Sequence, residues 1–251
     1  MKRTLCIALM ALLVFACKDK VKETTVATSD KVEETLEKTK VQDEWTVLFD
    51  GTSFDGWKGY KMDAVPEYWK LEDGAMVFYP PTDRKKGVSY NLVSTNEFHN
   101  FVLSLEWKIA EAGNSGVMWG VQEMAEYGQP YNTGPEVQVL DNEKHPDGKN
   151  GTSHQAGALY DMVAPSEDVT KPVGEWNSMY ITVDYSNNVG VIVLNDVEIV
   201  NFPLANEAWD TMVSKSKFAG WEDFGKSPKG KIALQDHGDM VAYRNIRIKE
   251  L

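Results

Sequence analysis

Glu136 and Gln138 lie in the segment GPEVQVLDN, where polar and apolar residues alternate. Side chains two positions apart in a strand point to the same face, so this carboxyl and this amide share one face, opposite Val137 and Val139. A carboxyl can act as an acid, a base or a hydroxyl acceptor, whereas an amide hydrogen-bonds without titrating. Glu136 is therefore a predicted catalytic residue and Gln138 a predicted ligand-binding residue. A solvated strand face without chemistry is the alternative.

A second polar cluster, QDHGD, follows the apolar run in GKIAL. His237 is a predicted catalytic acid or base, because imidazole exchanges protons near neutral pH, and Gln235 is a predicted ligand-binding residue. Asp236 and Asp239 can instead orient their neighbours or hold a calcium ion, although the chain has no EF-hand-like loop. A turn that satisfies its own polar groups is the alternative.

Two further segments supply candidate ligand contacts. In GNSGVMW, Asn114 is predicted to bind a hydroxyl; a turn in which Asn114 merely adopts a left-handed conformation is the alternative. Trp119 is predicted to stack on a sugar ring, and a position in the hydrophobic core is the alternative. The polar loop EKHPDGKNGTSHQAGALYD is predicted to overhang a groove and to contribute His154 and Tyr160. A loop histidine that is merely solvated is the alternative for His154.

Arg244 presents a parity problem in the segment YRNIRI. Arg244 is two and four positions from Ile246 and Ile248, so in a regular strand its side chain would lie on the same, apparently buried face. A charged group there must be paired or must open onto a cleft. A guanidinium beside Glu136 would stabilise negative charge, so Arg244 is predicted as a third catalytic residue. A structural ion pair at the end of the sheet is the alternative.

No cofactor is predicted, because the sequence contains no short metal-ligand spacing such as HxH or HExxH. Four histidines and scattered carboxylates can still be brought together by folding. A structural or catalytic divalent metal therefore stays open at this stage.

Short apolar or alternating runs, separated by Gly, Asn, Asp and Pro, predict an all-β fold. The predicted strands are Trp69–Leu71, Ala75–Phe78, Asn91–Ser94, Phe101–Ile109, Ser115–Gln122, Glu136–Leu140, Ala158–Met162, Asn177–Asp184, Val189–Leu194, Val197–Phe202, Gly230–Gln235 and Val241–Lys249. Hairpin turns are predicted at Glu72-Asp73-Gly74 and, as a two-residue turn, at Asn195-Asp196. Glu207–Lys217 is the one predicted helix.

The N-terminus predicts export. A basic start and the apolar run Leu5–Ala16 are typical of a signal peptide over residues 1–16, and the run is too short to span a bilayer. VFAC resembles a bacterial lipobox, so Cys17 is the predicted lipidated residue; an ordinary signal peptide that happens to contain a cysteine is the alternative. We expect the mature protein to be lipid-anchored to the cell envelope, at the outer membrane or the cell surface.

Composition divides the remaining chain into two parts. Residues 17–44 are predicted to form the lipidated cysteine and a charged flexible tether, because Lys18–Glu44 has no aromatic residue. Residues 45–251, which hold all eight tryptophans, are predicted to form one domain. The net charge of −12 disfavours nucleic acid as a partner, and nothing marks an oligomer interface, so a monomer is expected.

A set of segments along the domain resembles the bacterial 3-keto-disaccharide hydrolase family, first catalogued as a domain of unknown function. They are VLFDGTSFDGW, WKLEDGAMVF, FVLSLEWKIAEAGNSGVMW, GPEVQVLDN, GALYDMVAP, KPVGEWN, SKF and GKIALQDHGDMVAYRNIRIKEL. The resemblance implies a concanavalin A-like jelly roll of two antiparallel sheets. One departure is Asp196, where the family's hairpin usually reads Asn-Gly; it concerns turn geometry alone.

The resemblance also implies a hydrolase acting on 3-keto-disaccharides or related oxidised glycosides, with carbohydrate as the substrate. A 3-keto group acidifies the C2 hydrogen, so elimination of the C1 substituent followed by hydration is the expected route. A non-catalytic carbohydrate-binding lipoprotein and a conventional glucanase are the alternatives. The amide at Gln138 disfavours the glucanase, because a conventional glucanase needs two carboxylates flanking the glycosidic bond.

Overall fold

A computed structural model describes residues 45–84 and 87–251, in which thirteen strands form two antiparallel sheets. The predicted signal peptide, Cys17 and the tether lie outside the described residues. Nowhere in the described part of the chain is a helix both long enough and apolar enough to cross a bilayer.

The larger sheet has the strand order β11-β10-β9-β6-β13-β4-β3, and β1 pairs with β13 beyond the end of β4. Its strands are β1 (Thr46–Phe49), β3 (Trp69–Glu72), β4 (Ala75–Phe78), β6 (Phe101–Ile109), β9 (Asn177–Asp184), β10 (Val189–Leu194), β11 (Val197–Phe202) and β13 (Val241–Glu250).

The smaller sheet has the order β2-β5-β12-β7-β8. Its strands are β2 (Trp57–Gly59), β5 (Leu92–Ser94), β7 (Asn114–Val121), β8 (Glu136–Leu140) and β12 (Lys231–Leu234). Between β11 and β12 lies the helix α1 (Asn206–Ser214). Short 3-10 turns are present at Pro130–Asn132, Pro146–Lys149 and Thr152–His154.

Both predicted hairpin turns are present. Asn195 and Asp196 join β10 to β11 with φ angles of 48° and 68°, and Asp73 and Gly74 join β3 to β4 with φ angles of 50° and 74°. Two successive left-handed residues form a type I′ turn, whose twist matches that of the flanking strands.

The core lies between the sheets, and strand alternation decides which residues enter it. On β8, Val137 and Val139 join the main hydrophobic core, so Glu136 and Gln138 face the opposite side of the smaller sheet. A polar contact also bridges the core, since the hydroxyls of Ser115 on β7 and Tyr243 on β13 lie 2.7 Å apart. The predicted two-sheet all-β fold is confirmed.

The strand predicted at Ala158–Met162 is wrong. This segment does run along the free edge of β8, where the Gln138 N–H donates to the Ala158 carbonyl at 3.1 Å and the Tyr160 N–H donates to the Glu136 carbonyl at 3.0 Å. Gly157 and Asp161, however, have φ angles of 83° and 58°, so the backbone turns at each end and no regular strand forms. The segment therefore covers the edge as a loop.

Candidate functional site

Six of the nine predicted catalytic or ligand-binding residues line one cavity of about 350 Å³ on the outer face of the smaller sheet. We call it the Glu136 pocket. Its lining consists of Asn114, Tyr131, Glu136, Gln138, Tyr160, Lys217, Phe218, Trp221, Gln235 and His237. The floor comes from the strands and the wall from loops, so a rigid sheet holds the polar groups in place.

Glu136 is the central titratable group of this pocket. Its side chain is 7% exposed, and its Oε2 atom accepts a hydrogen bond of 3.2 Å from Gln235 Nε2. Burial raises the pKa of Glu136 from its usual 4.5 to about 8, against the opposing effects of the Lys217 charge and the Gln235 hydrogen bond. Such a carboxyl holds a proton at neutral pH and is a stronger base than an exposed glutamate once it has lost that proton.

Gly116 on β7 makes room for this carboxyl. A Cβ atom at position 116 would lie 2.6 Å from Cδ and 2.8 Å from Cγ of Glu136, closer than real Cβ contacts allow. The second glycine of GNSG is therefore required by the close approach of the Glu136 side chain from the neighbouring strand.

Three buried amides surround Glu136 with unused hydrogen-bonding capacity. Asn114 Oδ1, Gln138 Oε1 and Gln235 Oε1 are all shielded from solvent and have no hydrogen-bond partner within the described part of the chain. Buried polar atoms are normally paired, so these oxygens are available to donors brought by a ligand. Sugar hydroxyls are donors of this kind.

A hydrogen-bond network behind the floor fixes the amide of Gln138. Asp147 accepts from Gln138 Nε2 at 3.4 Å and from the Tyr160 hydroxyl at 2.8 Å, and it lies 3.0 Å from His154 Nδ1. The other ring nitrogen of His154 lies 2.9 Å from Asp161. His154, predicted to contact ligand, instead occupies a position behind the pocket, where it holds Asp147 and Asp161 in place.

Lys217 is the cationic residue of the pocket, and the chemical reasoning from sequence did not identify it. Its Nζ atom lies 4.0 Å from the centre of the Tyr160 ring, and its backbone N–H donates to Asp161 at 2.6 Å. The predicted helix ended at Lys217, whereas α1 ends at Ser214. The three residues that follow α1 bring Lys217 to the pocket. The SKF segment in the family resemblance was the only signal for it.

Arg244 lies on the larger sheet and not in the Glu136 pocket. The parity prediction is wrong because β13 contains a bulge: Asn245 has a φ of 53°, and the pairing register with β6 shifts between Arg244 and Arg247. The shift leaves Ile246 buried and turns Arg244 outward. Arg244 pairs there with Glu106 at 2.6 Å and stacks over Trp176 at 4.1 Å. The alternative weighed for Arg244, a structural ion pair, describes this geometry.

Trp119 also lies away from the pocket. It is 2% exposed and belongs to the main core, where its ring centre lies 5.9 Å from that of Phe202. Alternation on β7 points Asn114 and Gly116 outward and Trp119 inward. Trp119 therefore cannot stack on a sugar in this pocket, whose aromatic wall is formed by Tyr131, Tyr160 and Trp221 together with Phe218.

The QDHGD cluster divides into residues with different surroundings. Asp236 is buried and structural: it lies 3.1 Å from Arg84 and accepts the Tyr90 N–H at 2.7 Å. His237 lines the pocket, while Asp239 accepts the backbone N–H of Asn114 at 3.1 Å. His237 and Asp239 also come close to His145, and one ligand-type atom from each of the three residues lies within 4.8 Å of the others.

A family model described as the 3-keto-alpha-glucoside-1,2-lyase-like domain matches residues 44–249. The chain belongs to this family. The resemblance seen in the sequence is thereby confirmed, and so is the prediction of an enzyme of the glycoside-cleaving class.

Comparison with individual proteins agrees with this assignment. The chain is 36% identical over 231 residues to the 3-keto-disaccharide hydrolase of Bacteroides thetaiotaomicron, an alignment covering 83% of this chain and 79% of that protein. A Parabacteroides distasonis structure, provisionally called a glycosyl hydrolase, is 32% identical with a TM-score of 0.76 and covers 90% of this chain and 98% of its own. A second P. distasonis structure, with 23% identity and a TM-score of 0.62, covers 83% of this chain and all of its own and supports the fold alone.

Proposed function

We propose that this chain cleaves the glycosidic bond of 3-keto-disaccharides, with the oxidised ring bound in the Glu136 pocket. The observation that carries the proposal is a single buried carboxyl with a raised pKa among three amides with unpaired oxygens. A volume of about 350 Å³ lies at the lower end of small-ligand pockets, which suits one sugar ring. The name of the B. thetaiotaomicron relative supports the substrate class.

Glu136 acts as the base in this scheme. It removes the C2 proton, which the neighbouring C3 ketone acidifies, and the electron pair forms an enolate. The enolate then expels the C1 oxygen of the leaving sugar, and this oxygen takes up the proton that Glu136 removed, which returns the carboxyl to its ionised form. Water adds across the resulting C1–C2 double bond, so the net reaction is hydrolysis.

The enolate requires positive charge or hydrogen-bond donors beside its oxygen. Lys217 supplies positive charge in this pocket, the role that the sequence had suggested for Arg244. Asn114, Gln138 and Gln235 accept hydrogen bonds from the remaining sugar hydroxyls, and the Tyr160 ring packs against the sugar.

A mechanism with two flanking carboxylates fits this pocket poorly. Glu136 is the one carboxyl that lines it among the described residues. Asp147, close behind, is engaged by Tyr160, Asn150 and His154, whose hydrogen bonds outweigh the effect of burial and lower its pKa. A conventional glucanase mechanism therefore lacks its second group.

Export and lipid anchoring complete the proposal. The apolar run Leu5–Ala16 and the VFAC sequence ending at Cys17 support a mature lipoprotein tethered to the cell envelope. The composition of residues 18–44, charged and without an aromatic residue, supports the proposed tether between the lipid and the domain.

The substrate assignment predicts a sharp difference between native and oxidised sugars. The purified chain is incubated with a glucose disaccharide or with its 3-keto form, and the released sugars are measured by chromatography. We expect cleavage of the 3-keto form alone. Binding of both sugars without turnover would instead indicate a carbohydrate-binding protein. Cleavage of the native disaccharide would contradict the need for the ketone.

A further inference from the structure

We propose that His145, His237 and Asp239 bind one divalent transition-metal ion at the rim of the Glu136 pocket. Two imidazoles and one carboxylate offer ligand atoms that lie within 4.8 Å of one another. Ligands about 2.0–2.2 Å from a zinc ion lie roughly 3–3.5 Å apart, so modest side-chain rotations would close the site. His237 also lines the pocket, which places such an ion beside the sugar.

The backbone assembles this group from two separate loops. His145 follows β8 and begins the 3-10 turn at Pro146–Lys149, and its ring lies 6.0 Å from that of His237, nearly perpendicular to it. Gly238, with a φ of 102°, lets the chain turn between His237 and Asp239. Asp239 is held by the backbone N–H of Asn114 at 3.1 Å, the type of contact that orients a metal-binding carboxylate.

The donor set selects a class of ion. Imidazole nitrogens favour zinc, iron, cobalt and nickel, whereas magnesium and calcium prefer oxygen alone. Three protein ligands leave at least one coordination position for water or substrate. The nearby carboxylate of Asp147, which acts electrostatically on His237, also favours a cation here.

One local hydrogen bond must change for the ion to bind. His145 Nδ1 accepts the Asp147 N–H at 3.1 Å, so a neutral ring carries its proton on Nε2. Ligation through Nε2 moves that proton to Nδ1 and opens the contact with Asp147. The loss of one hydrogen bond is small beside the formation of three metal–ligand bonds.

The catalytic use of this ion rests on the proposed function. A cation beside His237 would add positive charge where the enolate oxygen develops, and His237 would then act as a metal ligand and not as a proton carrier. The binding site itself is independent of the reaction and can be tested without a sugar.

The test is calorimetric titration of the tag-free full chain, stripped with a chelator, with Co²⁺, Zn²⁺ and Mn²⁺, and with Mg²⁺ for comparison. We expect one transition-metal ion per chain, weaker Mg²⁺ binding, and visible absorption bands of the bound Co²⁺. His145→Ala and Asp239→Asn are each expected to weaken binding at least 100-fold. His99→Ala, remote from the group, is the control and should bind normally.

The outcomes separate the two proposals. The absence of saturable 1:1 binding, or unchanged binding in both ligand variants, would overturn the metal site. Thermal unfolding of each variant shows whether it folds, and the half-buried loop position of His145, outside the hydrophobic core, keeps that variant informative. Binding without turnover of 3-keto sugars would leave the site standing and reject the function, whereas full turnover of the stripped chain would reject the catalytic use alone.

Discussion

Glu136→Gln is expected to lower turnover of a 3-keto-disaccharide by about 10²–10⁴-fold, the usual contribution of a general acid–base group. Glutamine keeps the shape of the side chain and can still hydrogen-bond to Gln235, but it cannot take the C2 proton. Because the ionised form is the base, wild-type turnover should rise with pH up to about 8, where the raised pKa of Glu136 lies. The measurement is initial rate against pH for both proteins.

The same substitution is expected to stabilise the fold. The pKa of Glu136 is higher in the folded chain, about 8, than its usual 4.5, so the folded state holds a proton that the unfolded state releases between these values. The free energy of unfolding therefore falls as pH rises through that window. Glutamine removes this dependence, and we expect a gain on the order of 1–3 kcal/mol at pH 8, measured by denaturant unfolding.

Glu106→Gln is the matched control for both effects. Burial acts to raise the pKa of Glu106, but hydrogen bonds from Asn245 and Arg244 lower it overall, so its ionised form stabilises the folded chain. The control should retain turnover and lose stability at neutral pH, opposite in both respects to Glu136→Gln. Wild-type turnover by a folded Glu136→Gln variant would remove Glu136 from the chemistry.

Gly116→Ala is the second substitution with a large expected effect. The new methyl group would lie 2.6 Å from Cδ of Glu136, so the carboxyl must leave its position between Gly116 and Gln235. Turnover should fall by at least 100-fold, since misplacement of about 1 Å can cost that much. Overpacking should also cost about 1–3 kcal/mol of stability.

Gly128→Ala provides the control, because a Cβ atom there would meet nothing within 4 Å and the position has no left-handed φ. Its turnover and stability should match the wild type. A double variant, Gly116→Ala with Glu136→Gln, should lose little more activity than Glu136→Gln alone, because both changes act on one group. Additive losses would show that Gly116 acts through some other residue.

Alternation and turn residues were sufficient to predict most of the fold. The GPEVQVLDN pattern placed Glu136 and Gln138 on one face, and the hairpins at Asp73-Gly74 and Asn195-Asp196 follow from residues that tolerate left-handed backbone. β1 and β2, four and three residues long, were not predicted; each pairs with a strand far along the chain, so no hairpin turn marked it.

The rest of the site depended on features that a periodic pattern does not contain. Strand alternation does not hold across a β-bulge, which adds one residue to the strand. The bulge at Asn245 therefore makes Arg244 point to the face opposite to the one predicted. Lys217 reaches the pocket because α1 ends early. His145 joins His237 and Asp239 through folding, so no sequence spacing could reveal the group.

The most direct test of the central claim uses a 3-keto-disaccharide labelled with deuterium at C2. If Glu136 removes the C2 hydrogen, every cleavage by the wild-type chain should release that deuterium to solvent, and a primary isotope effect should slow turnover. Controls without enzyme and with Glu136→Gln measure any spontaneous exchange. Product sugar that retains its C2 deuterium would contradict the account, because cleavage would then proceed by displacement at C1 without removal of the C2 hydrogen.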